Sequence, residues 1–153
     1  SGPHSNGYSL IRKVLSAKEI QQNRREVLAP TRLYVKPVQN ILSAFKKQKN
    51  KGITGLAHIT GGSFLKKATK NVPEGLTLRY QLGSWPIPKV FTLIQKRAGL
   101  SNGEIFETLN MGIGFMIIVK KKQQGIFEQI ARSQKCAYYR IGEVVKGRTA
   151  ELC

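Results

Sequence analysis

The sequence contains no aspartate. Its eight acidic residues are all glutamates: Glu19, Glu26, Glu74, Glu104, Glu107, Glu128, Glu143 and Glu151. They are scattered, apart from the Glu104/Glu107 pair. A magnesium–ATP site rests on one or two well-placed carboxylates, so this chain alone does not fit a complete ATP-using enzyme. Cysteine is also scarce. Cys136 and Cys153 form no CxxC pair, and His4 and His58 are far apart, so no metal site is expected and a reducing compartment is. The longest apolar stretch, Gly112 to Val119, is far shorter than the roughly 20 residues of a membrane helix, so no membrane partner is expected. Neither a charged-then-apolar signal segment nor a methionine opens the chain. The expectation is a processed or truncated piece of a longer cytoplasmic protein.

Positive charge is abundant. Lys and Arg number 26 in 153 residues, for a formal net charge of +18. The lysines fall in runs: Lys46, Lys47, Lys49 and Lys51; Lys66, Lys67 and Lys70; and Lys120, Lys121 and Lys122. Such a balance raises nucleic acid as a partner. Solvated helix ends and loops are the preferred explanation of the runs, and no helix-turn-helix, zinc finger or RNP-type strand accompanies them. The expectation is weak, salt-sensitive, sequence-independent binding and no specific nucleic acid.

Apolar spacing at Leu10, Ile11, Val14 and Leu15 predicts a helix from Gly7 to about Ala17. Lys18 to Leu28 reads as a helical extension or connector. Leu33 and Val35 suggest a short extended segment, and Val38, Ile41, Leu42 and Phe45 a helix with Pro37 in its first turn. Gly52 suits a C-cap or turn. Ile53 to Ile59 reads as a buried strand, Phe64 to Lys70 as a short helix, and Leu76, Leu78 and Tyr80 as a strand with one wet face. Pro86 and Pro88 open a helix carrying Val90, Phe91, Leu93 and Ile94. Ser101 with Glu104 is a capping box. Gly112 to Val119 reads as a second buried strand, Gln123 to Ser133 as a helix, and Ala137 to Ile141 and Val144 to Val145 as late strands. Interspersed strands and helices indicate α/β or α+β, with one mixed sheet covered by helices.

Three glycine-bearing loops are candidate sites. Ser1, Gly2, Pro3, His4, Ser5, Asn6 and Gly7 precede a helix, where free N–H groups and the helix dipole favour an anion; an N-cap by Ser5 or Asn6 fits as well. His58, Thr60, Gly61 and Gly62 end a strand, where open sheets hold ligands. His58 suits a hydrogen-bond donor or an acid–base group, or else a satisfied core histidine. Asn110, Gly112 and Gly114 lead into the second strand, and the alternate glycines admit something bulky, a ligand or a packed helix. None of the three is a Walker A or dinucleotide fingerprint.

Taken together, the loops resemble a known family. Ser1-Gly2-Pro3-His4-Ser5-Asn6-Gly7-Tyr8-Ser9-Leu10 with Arg12-Lys13 is similar to the loop opening the C-terminal domain of the aminoimidazole ribonucleotide synthetases, the phosphoribosylformylglycinamidine cyclo-ligases. The likeness continues in order through Ala29-Pro30-Thr31-Arg32-Leu33-Tyr34, Ala57-His58-Ile59-Thr60-Gly61-Gly62, Pro73-Glu74-Gly75-Leu76 and Gly83-Ser84-Trp85-Pro86-Ile87-Pro88 with Phe91. Thr108-Leu109-Asn110-Met111-Gly112-Ile113-Gly114 and Ile141-Gly142-Glu143-Val144 complete it. Ser63 stands where a third glycine is usual, and the connector Ser16 to Leu28 is short and basic for the family.

The resemblance implies a single α+β domain over 1–153, the substrate side of a two-domain enzyme whose N-terminal ATP-binding domain is absent here. It implies ATP-dependent closure of formylglycinamidine ribonucleotide to aminoimidazole ribonucleotide in purine biosynthesis, through phosphorylation of an oxygen and attack by a substrate nitrogen. ATP and magnesium would sit mainly on the missing domain, and the full protein would be a homodimer. The site residues implied are His58 for catalysis and Ser1, Gly2, His4, Ser5, Asn6, Gly7, Thr60, Gly61, Gly62, Asn110, Gly112 and Gly114 for the ribonucleotide. The piece alone is expected to be inactive. Related enzymes of the formylglycinamidine ribonucleotide synthetase, selenophosphate synthetase or thiamine-phosphate kinase type share the implied fold, and a basic nucleic-acid-binding module is the remaining alternative.

Overall fold

In the computed structural model, residues 1–3, 7–49, 51–60 and 64–153 are described, with Phe64, Lys66 and Lys67 described by backbone alone. Among the described residues the chain opens with three short helices, α1 (Tyr8–Val14), α2 (Ala17–Gln22) and α3 (Arg24–Val27), followed by α4 (Val35–Lys47). Then come β1 (Ile53–His58), α5 (Phe64–Thr69) and β2 (Leu76–Tyr80). Next are α6 (Lys89–Ala98), α7 (Asn102–Thr108), β3 (Phe115–Val119), α8 (Gln124–Ser133), β4 (Gly142–Lys146) and β5 (Glu151–Leu152). This is an α+β domain.

Two capping boxes punctuate the helices. The Ser101–Glu104 box opens α7, as its spacing predicts. A second box, Ser16 with Glu19, opens α2 and ends the first helix at Val14 rather than near Ala17. The N-cap position of α1 is Gly7, and Ser5 and Asn6 lie outside the described residues. Gly52 is no C-cap: α4 ends at Gln48, and Lys49 takes the left-handed turn at φ 51°. Gly52 instead accepts a hydrogen bond from the Lys120 N–H (2.8 Å), locking the start of β1 to the end of β3. Val35 is helical, because Pro37 in the first turn of α4 presets a helical φ; the segment before it, 29–34, is irregular.

Among the described residues the strands form two sheets rather than one. β1 and β3 pair antiparallel, with a register shift between Ile53 and Gly55. β2 lies between β4, antiparallel, and β5, parallel. Arg79 on β2 ties its three strands together, bonding Glu151 (2.7 Å) and reaching Glu143 (3.7 Å). β3 starts at Phe115, later than the apolar run suggests, because Met111 and Gly112 both adopt positive φ. β1 is not buried throughout: Ala57 is buried while Thr54, Leu56 and His58 are exposed. The segment 137–141 is irregular, and the late strands are β4 and β5.

The main core gathers α1, α6, α7, β2 and the inner face of β1–β3. Val90, Phe91 and Ile94 of α6 are fully buried there, as are Ile59 and Ile105. Each such side chain contributes about 1.5–3 kcal/mol relative to exposure. A second, smaller cluster of Ile41, Phe45 and Ile130 holds α4 and α8 on the other side of β1–β3. No helix among the described residues is long and apolar enough to cross a membrane.

Candidate functional site

The sharp turn before β3 is the centre of the region. Met111 at φ 48° and Gly112 at φ 92° reverse the chain. A side chain at Gly112 would also meet the Pro88 ring, at 2.8 Å. The Trp85 indole N–H donates to the Met111 carbonyl (3.0 Å), so the Gly83–Pro88 segment acts as a brace for this turn. Asn110 is buried, and both ends of its amide are used: Nδ2 donates to the Gly2 carbonyl (2.9 Å) and Oδ1 accepts from the Gly112 N–H (2.9 Å). Asn110 therefore clasps the 1–3 segment to the turn.

The first residues are held from several sides. The Ser1 nitrogen donates to the Gly112 carbonyl (2.8 Å), and the Ser1 hydroxyl is hydrogen-bonded to the Tyr34 hydroxyl. Gly2 lies against the Glu26 carbonyl, and Gly7 against the Pro3 carbonyl, so neither position has room for a side chain. Glu26 accepts from the Val90 N–H (2.8 Å) at the start of α6, and Tyr8 donates to the Val27 carbonyl (2.8 Å). The helices α1, α3 and α6 are thus tied together beside residues 1–3 and Gly7.

His58 ends β1 on its exposed face, with its ring edge-on to Tyr34 (centroids 5.8 Å) and stacked on Phe115 (6.0 Å). It is not a satisfied core histidine. Tyr34 also meets Phe115 at 5.5 Å, making a three-ring cluster. Ile59 donates to the Gly114 carbonyl (2.8 Å), which joins the two loops. A Cβ at Gly114 would collide with the Tyr34 hydroxyl and the Ser1 Oγ, so the alternate-glycine spacing makes room for this chain's own tyrosine. Thr60 is half-buried and its N–H bonds the His58 carbonyl (3.2 Å).

Ser1, Gly2, Gly7, His58, Thr60, Asn110, Gly112 and Gly114 are thereby joined through one network. His4, Ser5, Asn6, Gly61 and Gly62 lie outside the described residues. One residue that the candidate set omitted belongs here: Tyr34, which links Ser1 to His58. Its signal was the Ala29–Tyr34 motif, a Pro-broken loop ending in a Tyr. The region thus combines glycine loops, a clasping amide and an exposed histidine held between two aromatic rings.

The chain belongs to the family described as AIR synthase related protein, C-terminal domain, which matches residues 1–152. Relatives include the phosphoribosylformylglycinamidine cyclo-ligase of Bacillus licheniformis, 39% identical over 96% of this chain and 44% of that protein. The enzymes of the same name from Xanthomonas euvesicatoria (38%, 95% and 44%) and Staphylococcus saprophyticus (38%, 96% and 44%) are equally similar. The chain spans under half the length of these relatives. A solved thiamine-monophosphate kinase from Stenotrophomonas maltophilia shares the fold, with a TM-score of 0.56 and 13% identity over 99% of this chain and 48% of that one.

Proposed function

We propose that this chain is the substrate-side half of an ATP-dependent cyclo-ligase that converts formylglycinamidine ribonucleotide to aminoimidazole ribonucleotide. The family match along the whole chain, with 38–39% identity to enzymes of that name, carries the reading. The superfamily alternatives and the basic nucleic-acid module are not favoured by these relatives.

In this proposal the first loop, residues 1–7, receives the ribonucleotide phosphate. The chain is strongly cationic, and the loop leads into α1. His58 and Thr60 face the reacting amidine further along, where the exposed imidazole donates to or takes a proton from the substrate. Asn110, Gly112 and Gly114 keep the floor rigid. Among the described residues no three His, Cys, Asp or Glu side chains come together. In the proposal magnesium and ATP are held mainly by the N-terminal domain of a two-domain protein. That group would supply the phosphoryl transfer; this chain's residues bind, orient and manage a proton. A homodimer in the cytoplasm completes the proposal.

The test is reassembly with the missing half and steady-state kinetics of ATP-dependent product formation. The 153-residue chain alone is expected to be inactive. In the reassembled enzyme Asn6→Ala should raise KM more than it lowers kcat, since phosphate binding is largely uniform between ground and transition states. His58→Ala should chiefly lower kcat. Product formation by the chain alone, or an unchanged KM for Asn6→Ala, overturns these assignments.

A further inference from the structure

At the opposite end of β1 from His58, an open groove of about 660 Å³ runs between α4 and the strand. Its helix wall is Leu42, Phe45 and Lys46 from one face of α4, with Lys49 from the turn that follows. Its strand wall is Lys51 and Ile53 to Leu56. Leu42 and Leu56 are exposed although both are large and apolar.

The strand wall is also an open hydrogen-bonding edge. Among the described residues β1 pairs only with β3. Ile59 bonds Gly114 across the pair, so by antiparallel alternation Ala57 and Gly55 face β3 and the N–H and C=O of Leu56 face away from it. Charge is concentrated here as well. Lys46, Lys49 and Lys51 line the groove, and the Lys120–Gly52 hydrogen bond brings Lys120, Lys121 and Lys122 to the same end. None of these lysines makes an ion pair with a described residue.

The geometry points to a docking groove for an extended acidic segment of a partner protein. That segment adds as a strand to the free edge of β1. Every second side chain of that strand faces α4: on this one face an apolar side chain lies against Leu42 and Leu56, and carboxylates meet Lys46 and Lys49. Residues 51–56 span roughly 17–20 Å of extended chain, so about five or six partner residues fit. A second copy of this chain is disfavoured by its own +18 charge. A nucleic acid would use the lysines but leaves the apolar wall and the open backbone edge without a role.

The experiment uses the full-length protein and a fluorescein-labelled ten-residue peptide in which Val and Glu take every second position in turn, with Ser at the positions between, read by fluorescence anisotropy at 150 mM salt. Controls are a peptide of the same composition with the alternation broken, and oligo-uridylate of the same charge. Hydrogen exchange of individual amides is followed in parallel. The alternating peptide should bind at least tenfold more tightly than either control and slow exchange at Leu56 while leaving Gly55 and Ala57 unchanged. N-methylation of the peptide on the positions facing β1 should abolish binding, and methylation on the other positions should not. K46E/K49E should weaken it at least tenfold. Equal binding of both peptides overturns strand addition. Tighter binding of oligo-uridylate makes the surface a general polyanion patch. A Leu56 amide already protected without peptide means that the protein's own remaining chain fills the groove. Absence of binding refutes the proposal outright.

Discussion

Removing the Asn110 amide should loosen the turn before β3 and the first loop together. In Asn110→Ala the Gly2 carbonyl loses its donor and the Gly112 N–H its acceptor, both at 2.9 Å in the intact protein. A buried polar group left unpaired costs about 1–3 kcal/mol. Gly2 is buried, while Gly112 is half-buried and open to partial rescue by water. The sum is about 2–4 kcal/mol. For a domain of this size that lowers Tm by roughly 5–15 °C. The reporter is the single tryptophan, Trp85, which is buried and bonded to the next carbonyl, Met111. Urea unfolding followed by Trp fluorescence measures the loss. The N110D variant separates the two bonds. It keeps an acceptor for Gly112 but faces the Gly2 carbonyl with a carboxylate, which donates only when protonated. Its folded pKa must then rise above the unfolded value of about 3.9. The penalty is therefore small below that value and grows as pH climbs through the folded pKa. An Asn110→Ala midpoint equal to wild type, or an N110D stability that does not fall between pH 3 and 8, would refute the clasp. If instead KM rose with stability intact, Asn110 would be a substrate contact.

Gly114→Ala should destabilise by about 1–3 kcal/mol through collision with the Tyr34 hydroxyl, and adding Tyr34→Phe should recover part of that loss in a double-mutant cycle. Thr77 is fully buried and its hydroxyl has no hydrogen-bond partner among the described residues, so Thr77→Val should raise stability by about 1 kcal/mol; a lowered urea midpoint would show a hidden partner. Glu104, bonded by the Ser101 hydroxyl and N–H, and Glu19, bonded by the Ser16 N–H and then by Arg97, have lowered pKa values. Their contribution is present above the unfolded carboxylate pKa and lost as pH falls through the folded one, so E19Q/E104Q should flatten the acid limb of the stability–pH curve.

Local chemistry was readable directly from the sequence. The Ser101–Glu104 box, the Pro37 and Pro88 helix starts and the α6 apolar face need only neighbours three or four residues away, and each stands where its spacing puts it. Ser16–Glu19 carries the same signature and was equally legible, but the apolar run that continues through Leu15 obscured it. Family membership was legible for the same local reason, because short ordered motifs are what a family retains. Tertiary structure decided the rest. The division of the strands into two sheets depends on which strands meet, and β5, two residues long, exists only because Arg79 and Tyr80 of β2 lie beside it. Spacing alone showed that Gly114 makes room; only the fold showed that Tyr34 and Ser1 take it. His58 read as either a core or a working histidine, because one exposed edge residue and one buried one look alike in a row of letters. Which face of β1 the helices cover is set by packing across 60 residues of chain, and that packing leaves the imidazole in the open, beside two aromatic rings.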